Sequence, residues 1–283
     1  MNASAPPPTH AGLRFGSDER DLMAVWLPES ADPAPAVLCF HPGRFRKLAR
    51  PSPVRTAPPV VRRDLLALVD EGISIVAPSH HGAGWTPFEG AVRALQFVRG
   101  RAGEWNLDRE RIAAMGTSSG ACLSLWLAAH ADLADPASED PVARESTRLA
   151  CAAVNQAVTS VDPRFMADLM PGSAVPGRFL KQFYGLEEAE LDRLPPETCR
   201  LMEELSPINH VRRGVPPTLL TYDDPLDAPY GIHHPSFGVA WRERIEAVGA
   251  RCDLVARRRP VGDSRTRSIP AFLLDELKGP GSG

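Results

Sequence analysis

The chain is 283 residues long, 43% hydrophobic and 24% charged, with a formal net charge of -3. That length allows one large α/β domain with an inserted subdomain, and the small, dispersed charge argues against nucleic acid or an anionic membrane as a partner. The five cysteines (Cys39, Cys122, Cys151, Cys199, Cys252) are odd in number, widely spaced and mostly inside apolar runs, the pattern of reduced core thiols rather than of a disulfide framework.

Residues 1–12, with Pro6, Pro7 and Pro8, are expected to form a disordered lead before the folded part at 13–283. The lead lacks the basic start and apolar stretch of a secretory signal, and no run reaches the roughly 18 apolar residues of a membrane span, so a cytoplasmic location is expected. The apolar runs 22–27 and 36–40, separated by the Pro-rich turn around Asp32, suit neighbouring strands. A helix is expected near 60–70, a strand at 73–77, a helix near 88–101, a strand at 111–115, a helix from 120 to about 130 and a strand-like stretch at 150–158. Buried strands alternating with helices imply a mostly parallel, doubly wound sheet covered on both faces, with ligands held at the carboxyl ends of its strands. Between about 160 and 210 that rhythm gives way to polar helical fragments rich in Pro and Gly, the pattern of a small helical cap. It resumes with a strand at 217–222, a helix at 237–248, a strand at 252–256 and a helix at 269–277.

The segment Gly116-Thr117-Ser118-Ser119-Gly120 matches G-x-S-x-G between an apolar strand and a helical run. A nucleophile on a strained strand-to-helix turn needs small neighbours so that the turn packs against the sheet while its hydroxyl points outward. Ser118 is the expected nucleophile, and the N–H of Ser119, at the positive end of the following helix, is an expected oxyanion donor. A plain Gly-rich turn is the alternative. The segment His41-Pro42-Gly43-Arg44 follows the buried strand 36–40, where an H-G-G-G-type oxyanion loop belongs. Pro42 removes one N–H, which leaves Gly43 and Arg44 as donors.

These segments, with 104–112, 125–130 and 231–238, resemble the α/β-hydrolase superfamily, and more closely its bacterial esterase/lipase branch with an H-G-G-G-type loop, including hydrolase-like proteins of planctomycetes. The resemblance spans about residues 15–275. It implies an α/β-hydrolase fold and cofactor-free hydrolysis of carboxylic esters through a Ser-acid-His triad and an acyl-enzyme on Ser118, with small or medium acyl groups as substrates. It also implies an acid in the loop after the strand 217–222, commonly before a proline, which selects Asp224 with Asp223 second.

The triad order Ser, Asp, His places a histidine after the last strand, yet that loop reads Arg257-Arg258-Arg259-Pro260 and no histidine follows His234. A serine without a base is a poor nucleophile at neutral pH. His234 or His233, in the loop before the next helix, is the expected base, with His80 or His81 as an alternative and loss of the base as another. The missing late histidine keeps open a non-catalytic binding protein on the same fold, and an amidase or peptidase shares the same attack geometry. The adjacent pairs His80-His81 and His233-His234 lack metal-ligand spacing, so neither a metal nor a cofactor is expected.

Overall fold

The computed structural model describes residues 6–43, 63–265 and 268–279. In chain order it contains β1 (His10–Arg14), β2 (Leu22–Trp26), β3 (Ala34–Phe40), α1 (Arg63–Asp70), β4 (Ser74–Pro78), α2 (Thr86–Gly100), β5 (Leu107–Thr117), α3 (Ser119–Ala129) and β6 (Ala152–Asn155). The helices α4 (Pro163–Leu169) and α5 (Val175–Phe179), a π-turn (Leu180–Tyr184), a 3₁₀ turn (Glu188–Arg193), α6 (Pro196–Glu204) and a second 3₁₀ turn (Pro207–His210) follow. The chain then forms β7 (Thr218–Tyr222), α7 (Ser236–Ala247), β8 (Cys252–Ala256), β9 (Arg259–Pro260) and α8 (Ile269–Lys278).

Among the described residues, nine strands form one sheet in the order β1-β2-β4-β3-β5-β6-β7-β8-β9. It is parallel from β4 to β8 and antiparallel at both ends. The pleat sends alternate side chains to opposite faces. Ala36, Leu38 and Phe40 of β3, with Ile112 and Ala114 of β5, pack in the cluster that contains Phe88 and Leu95 of α2 and Leu123 and Trp126 of α3. Val37 and Cys39, with Ala113 and Met115, pack against Leu66 and Leu68 of α1 and Phe272 and Leu273 of α8. A third cluster joins α3 to α7 through Leu125, Tyr222, Trp241 and Leu254. This is the doubly wound α/β-hydrolase fold. The five cysteines are free, four of them buried. Among the described residues no helix is long and apolar enough to cross a membrane.

Three expectations are corrected. The disordered lead was expected to run to residue 12, but β1 starts at His10 and pairs with β2. Trp26 Nε1 also donates to the Pro6 carbonyl at 3.0 Å, so backbone pairing and an indole anchor order this segment despite its prolines. The runs forming β2 and β3 are not neighbours, because β4 lies between them, antiparallel to β2 and parallel to β3. Parallel strands need a crossover, and the chain returning through α1 fills the slot that a direct β2–β3 pairing would have taken. The stretch 150–158 yields only four strand residues, since Gln156 turns with φ 54° to leave the sheet.

The helical fragments from α4 to His210 lie between β6 and β7. They are tied to the body by Tyr184 Oη donating to the Val161 carbonyl at 3.0 Å and by Trp126 Nε1 donating to the Glu204 carbonyl at 2.9 Å.

Candidate active site

The turn between β5 and α3 is set by two glycines. A Cβ on Gly116 would come within 2.3 Å of the Gly120 carbonyl, and one on Gly120 within 2.2 Å of the Phe40 carbonyl oxygen. Only hydrogen fits at either place, so the helix start is drawn tight against the ends of β3 and β5. Ser118, at the apex, takes φ 56° and ψ -115°, a conformation that costs a non-glycine residue about 1–3 kcal/mol. Its N–H donates to the Asn155 carbonyl at 3.1 Å and its carbonyl accepts from Cys122 N at 3.0 Å, and these bonds hold the strained residue in place. The side chain is thereby left at the surface of a cavity.

Ser118 Oγ meets His233 Nε2 at 2.9 Å. His233 lies between β7 and α7 in a turn closed by His234 N donating to the Gly231 carbonyl at 3.0 Å. Its neighbour is turned away from the serine. Both His234 nitrogens have partners of their own, Ser236 Oγ at 2.8 Å on Nδ1 and the Ala228 carbonyl at 3.1 Å on Nε2. Expected first as the base, His234 instead pins the loop that presents His233, because the turn points adjacent side chains in different directions.

Burial lowers the His233 pKa below its ordinary 6.5, and the carboxylates of Asp223 and then Asp224 oppose that shift. Both aspartates are exposed. Asp223 Oδ2 accepts from Gln156 Nε2 at 2.9 Å. Among the described residues no carboxylate hydrogen-bonds to His233, so the acids act on the ring through the field of their charges. That field ranks Asp223 ahead of Asp224, the reverse of the order expected from the proline that follows Asp224.

On the opposite wall, Gly43 N donates to Ser119 Oγ at 2.9 Å. His80 Nε2 lies 3.4 Å from the same hydroxyl, and the His80 ring stacks on His41 at 4.0 Å between centroids. Burial pushes the pKa of His80 well below 6.5, and that of His41 down as well. His81 is directed elsewhere, with Nε2 2.9 Å from Asp21 Oδ1. His41 therefore backs the loop as a stacked ring. Arg44 lies outside the described residues. The Gly43–Ser119 contact had no signal in the sequence beyond the proximity of two loops.

The cavity holds about 390 Å³ and is walled by Val158, Val161, Val175, Phe179 and Phe183, with Ser118 and His233 also in its lining. Phe179 and Phe183 stack at 4.9 Å. Arg178, Gln182 and Tyr230 supply polar groups at its lining. The size is that of a small-molecule pocket.

A serine on a glycine-bounded elbow, an imidazole on its hydroxyl and an apolar pocket over both define a hydrolase of the α/β-hydrolase esterase class. The chain belongs to the BD-FAE family, whose model matches residues 23–225. No curated protein matches the chain. Among solved structures it is similar to an acetyl ester-xyloside bifunctional hydrolase from Caldicellulosiruptor lactoaceticus, at 22% identity over 86% of this chain and 78% of that one, with a TM-score of 0.64. A truncated carbohydrate esterase from gut microbiota is 15% identical over 90% and 89% of the two chains, with a TM-score of 0.62. Esterase 2 of the planctomycete Thermogutta terrifontis, phosphonylated by sarin, is 18% identical over 96% and 93%, with a TM-score of 0.64.

Proposed function

We propose that the protein is a serine carboxylesterase for small or medium acyl groups, working through an acyl-enzyme on Ser118 with His233 as general base. The 2.9 Å contact between Ser118 Oγ and His233 Nε2 carries this reading. As the hydroxyl attacks the ester carbonyl carbon, its proton passes to Nε2. The carbonyl oxygen becomes an oxyanion facing the Ser119 N–H at the positive end of α3. Gly43 N–H supplies a second donor once it releases Ser119 Oγ. Collapse of the tetrahedral intermediate breaks the bond to the alcohol, which leaves with the proton from His233. Water activated by the same imidazole then frees the acid. Asp223 and Asp224 favour the imidazolium through the charges that oppose the burial of the ring.

A cavity of about 390 Å³ lined by Val175, Phe179 and Phe183 supports small or medium acyl groups. Thermogutta terrifontis esterase 2 is described as phosphonylated by sarin, and the same chemistry provides the test. A fluorophosphonate should label Ser118, found by peptide mapping, and label should vanish in Ser118→Ala together with turnover of p-nitrophenyl acetate and butyrate. Wild-type protein that takes no label and turns over no ester would leave a binding protein on the same fold. One observation favours that second reading: Gly43 N–H is already held by Ser119 Oγ.

A further inference from the structure

A second cluster of polar side chains lies at the far end of α3. His130 follows the last residue of that helix, Glu204 ends α6 and His210 ends the second 3₁₀ turn. One ligand atom from each lies within 4.8 Å of the other two. The His130 ring stacks on Trp126 at 4.3 Å and sits 4.6 Å from the His210 ring. Both histidine side chains are mostly buried, and Glu204 is 42% exposed.

Both ring nitrogens of His130 face oxygen atoms, Nδ1 the Ala131 carbonyl at 3.0 Å and Nε2 Glu204 Oε1 at 3.3 Å. A neutral imidazole has one N–H. With that hydrogen on Nδ1, the lone pair of Nε2 is directed at a carboxylate oxygen, an arrangement that a cation bound by both atoms would relieve. Imidazoles that bind metals show the same pattern, with the distal N–H given to a carbonyl and the other nitrogen free to ligate.

The spacing also suits a metal. Bonds of about 2.0–2.1 Å at the tetrahedral angle put ligand atoms about 3.4 Å apart. Here His130 Nε2 is 3.3 Å and His210 Nε2 3.9 Å from Glu204 Oε1. His210 Nε2 meets the Glu204 carbonyl at 2.6 Å, a bond that it would give up to ligate a metal. Two imidazoles and one carboxylate favour a borderline transition cation over magnesium or calcium, which prefer oxygen.

We propose that His130, Glu204 and His210 form a zinc-class divalent cation site, with water completing the coordination, that staples the helical cap to α3. The 11 residues of α3 separate the site from Ser118 by about 16 Å, so the cation takes no part in ester chemistry. Its effect is to hold α6 and the 3₁₀ turn against the body. Arg212, whose Nη2 donates to the His130 carbonyl at 2.9 Å, brings a positive charge near the site that would weaken cation binding.

The test is titration of chelator-treated, untagged full-length protein with Zn²⁺, and with Co²⁺ as a spectroscopic probe. One equivalent of Zn²⁺ should bind saturably, Co²⁺ should give the visible absorption of a low-coordinate nitrogen-oxygen site, and Tm should rise by about 5 °C at hundredfold excess over Kd. Mg²⁺ should leave Tm unchanged. His130→Ala and His210→Ala should lose the equivalent. Glu204→Gln, at a half-exposed position that tolerates the change, should weaken binding by roughly tenfold or more. Absence of saturable uptake, or uptake that Glu204→Gln leaves unaltered, overturns the proposal.

Discussion

Ser118 Oγ and His233 Nε2 stand 2.9 Å apart across 115 positions of sequence, and the histidine arrives from the loop after β7 instead of the loop after β8. The contact needs only that both loops open on the same edge of the parallel sheet. That edge is shared by the ends of all its parallel strands, so a histidine can reach the serine from either loop without changing the fold.

The adjacent histidines should separate cleanly. His233→Ala should lower kcat by a factor on the order of 10³ or more while leaving Tm close to wild type. His234→Ala removes contacts to Ser236 and Ala228 and should lower Tm, with the shape of the pH profile retained. Steady-state kinetics and thermal melts on the two variants check this, and a larger kcat loss in His234→Ala would reverse the roles.

The pH dependence has a defined sign. The base acts in its neutral form, so kcat/KM falls as pH drops through the His233 pKa, and burial places that acid limb below 6.5. Each nearby carboxylate favours the imidazolium, so Asp223→Asn should move the limb to still lower pH, and Asp224→Asn should do so by a smaller amount. A shift to higher pH in either variant would remove the proposed coupling.

Ser119→Ala tests the hold on the oxyanion loop. Its hydroxyl accepts the Gly43 N–H in the resting enzyme, and losing that acceptor leaves the donor free for the developing oxyanion. A neutral hydrogen bond contributes about 1 kcal/mol net, so kcat on p-nitrophenyl acetate should rise by up to roughly fivefold. A fall in kcat would mean that the hydroxyl positions the loop productively.

Gly120→Ala should be among the most damaging small changes in the chain. The added methyl meets the Phe40 carbonyl oxygen at 2.2 Å, and the neighbouring atoms are backbone of Phe40 and His41, which cannot rotate aside as a side chain would. A loss of about 3 kcal/mol in urea denaturation is expected, with activity lost in the fraction that still folds.

Much of this architecture was legible because buried strands and helices alternate with distinct periods: β3, β5, α3 and α7 fall close to where apolar runs and the elbow glycines put them. β1 and β9 were not, since five residues interrupted by Gly12 and a two-residue strand carry too little pattern. At the site, Ser118 could be read from its local chemistry. The choice between His233 and His234 could not, because it turns on which way one loop residue faces. The interplay of Asp223 and Asp224 depends on charge at a distance, and the trio His130, Glu204 and His210 is assembled wholly by tertiary packing of the cap.

The hairpin at the end of β8 has a further consequence. Arg257 and Arg258 both adopt positive φ, and the returning strand consists of Arg259 and Pro260, both exposed. Proline offers no amide hydrogen and arginine brings charge, so the outermost rung gives a stranger's backbone almost nothing to zip onto. Among the described residues, this border of the sheet is ill suited to lateral growth into aggregates.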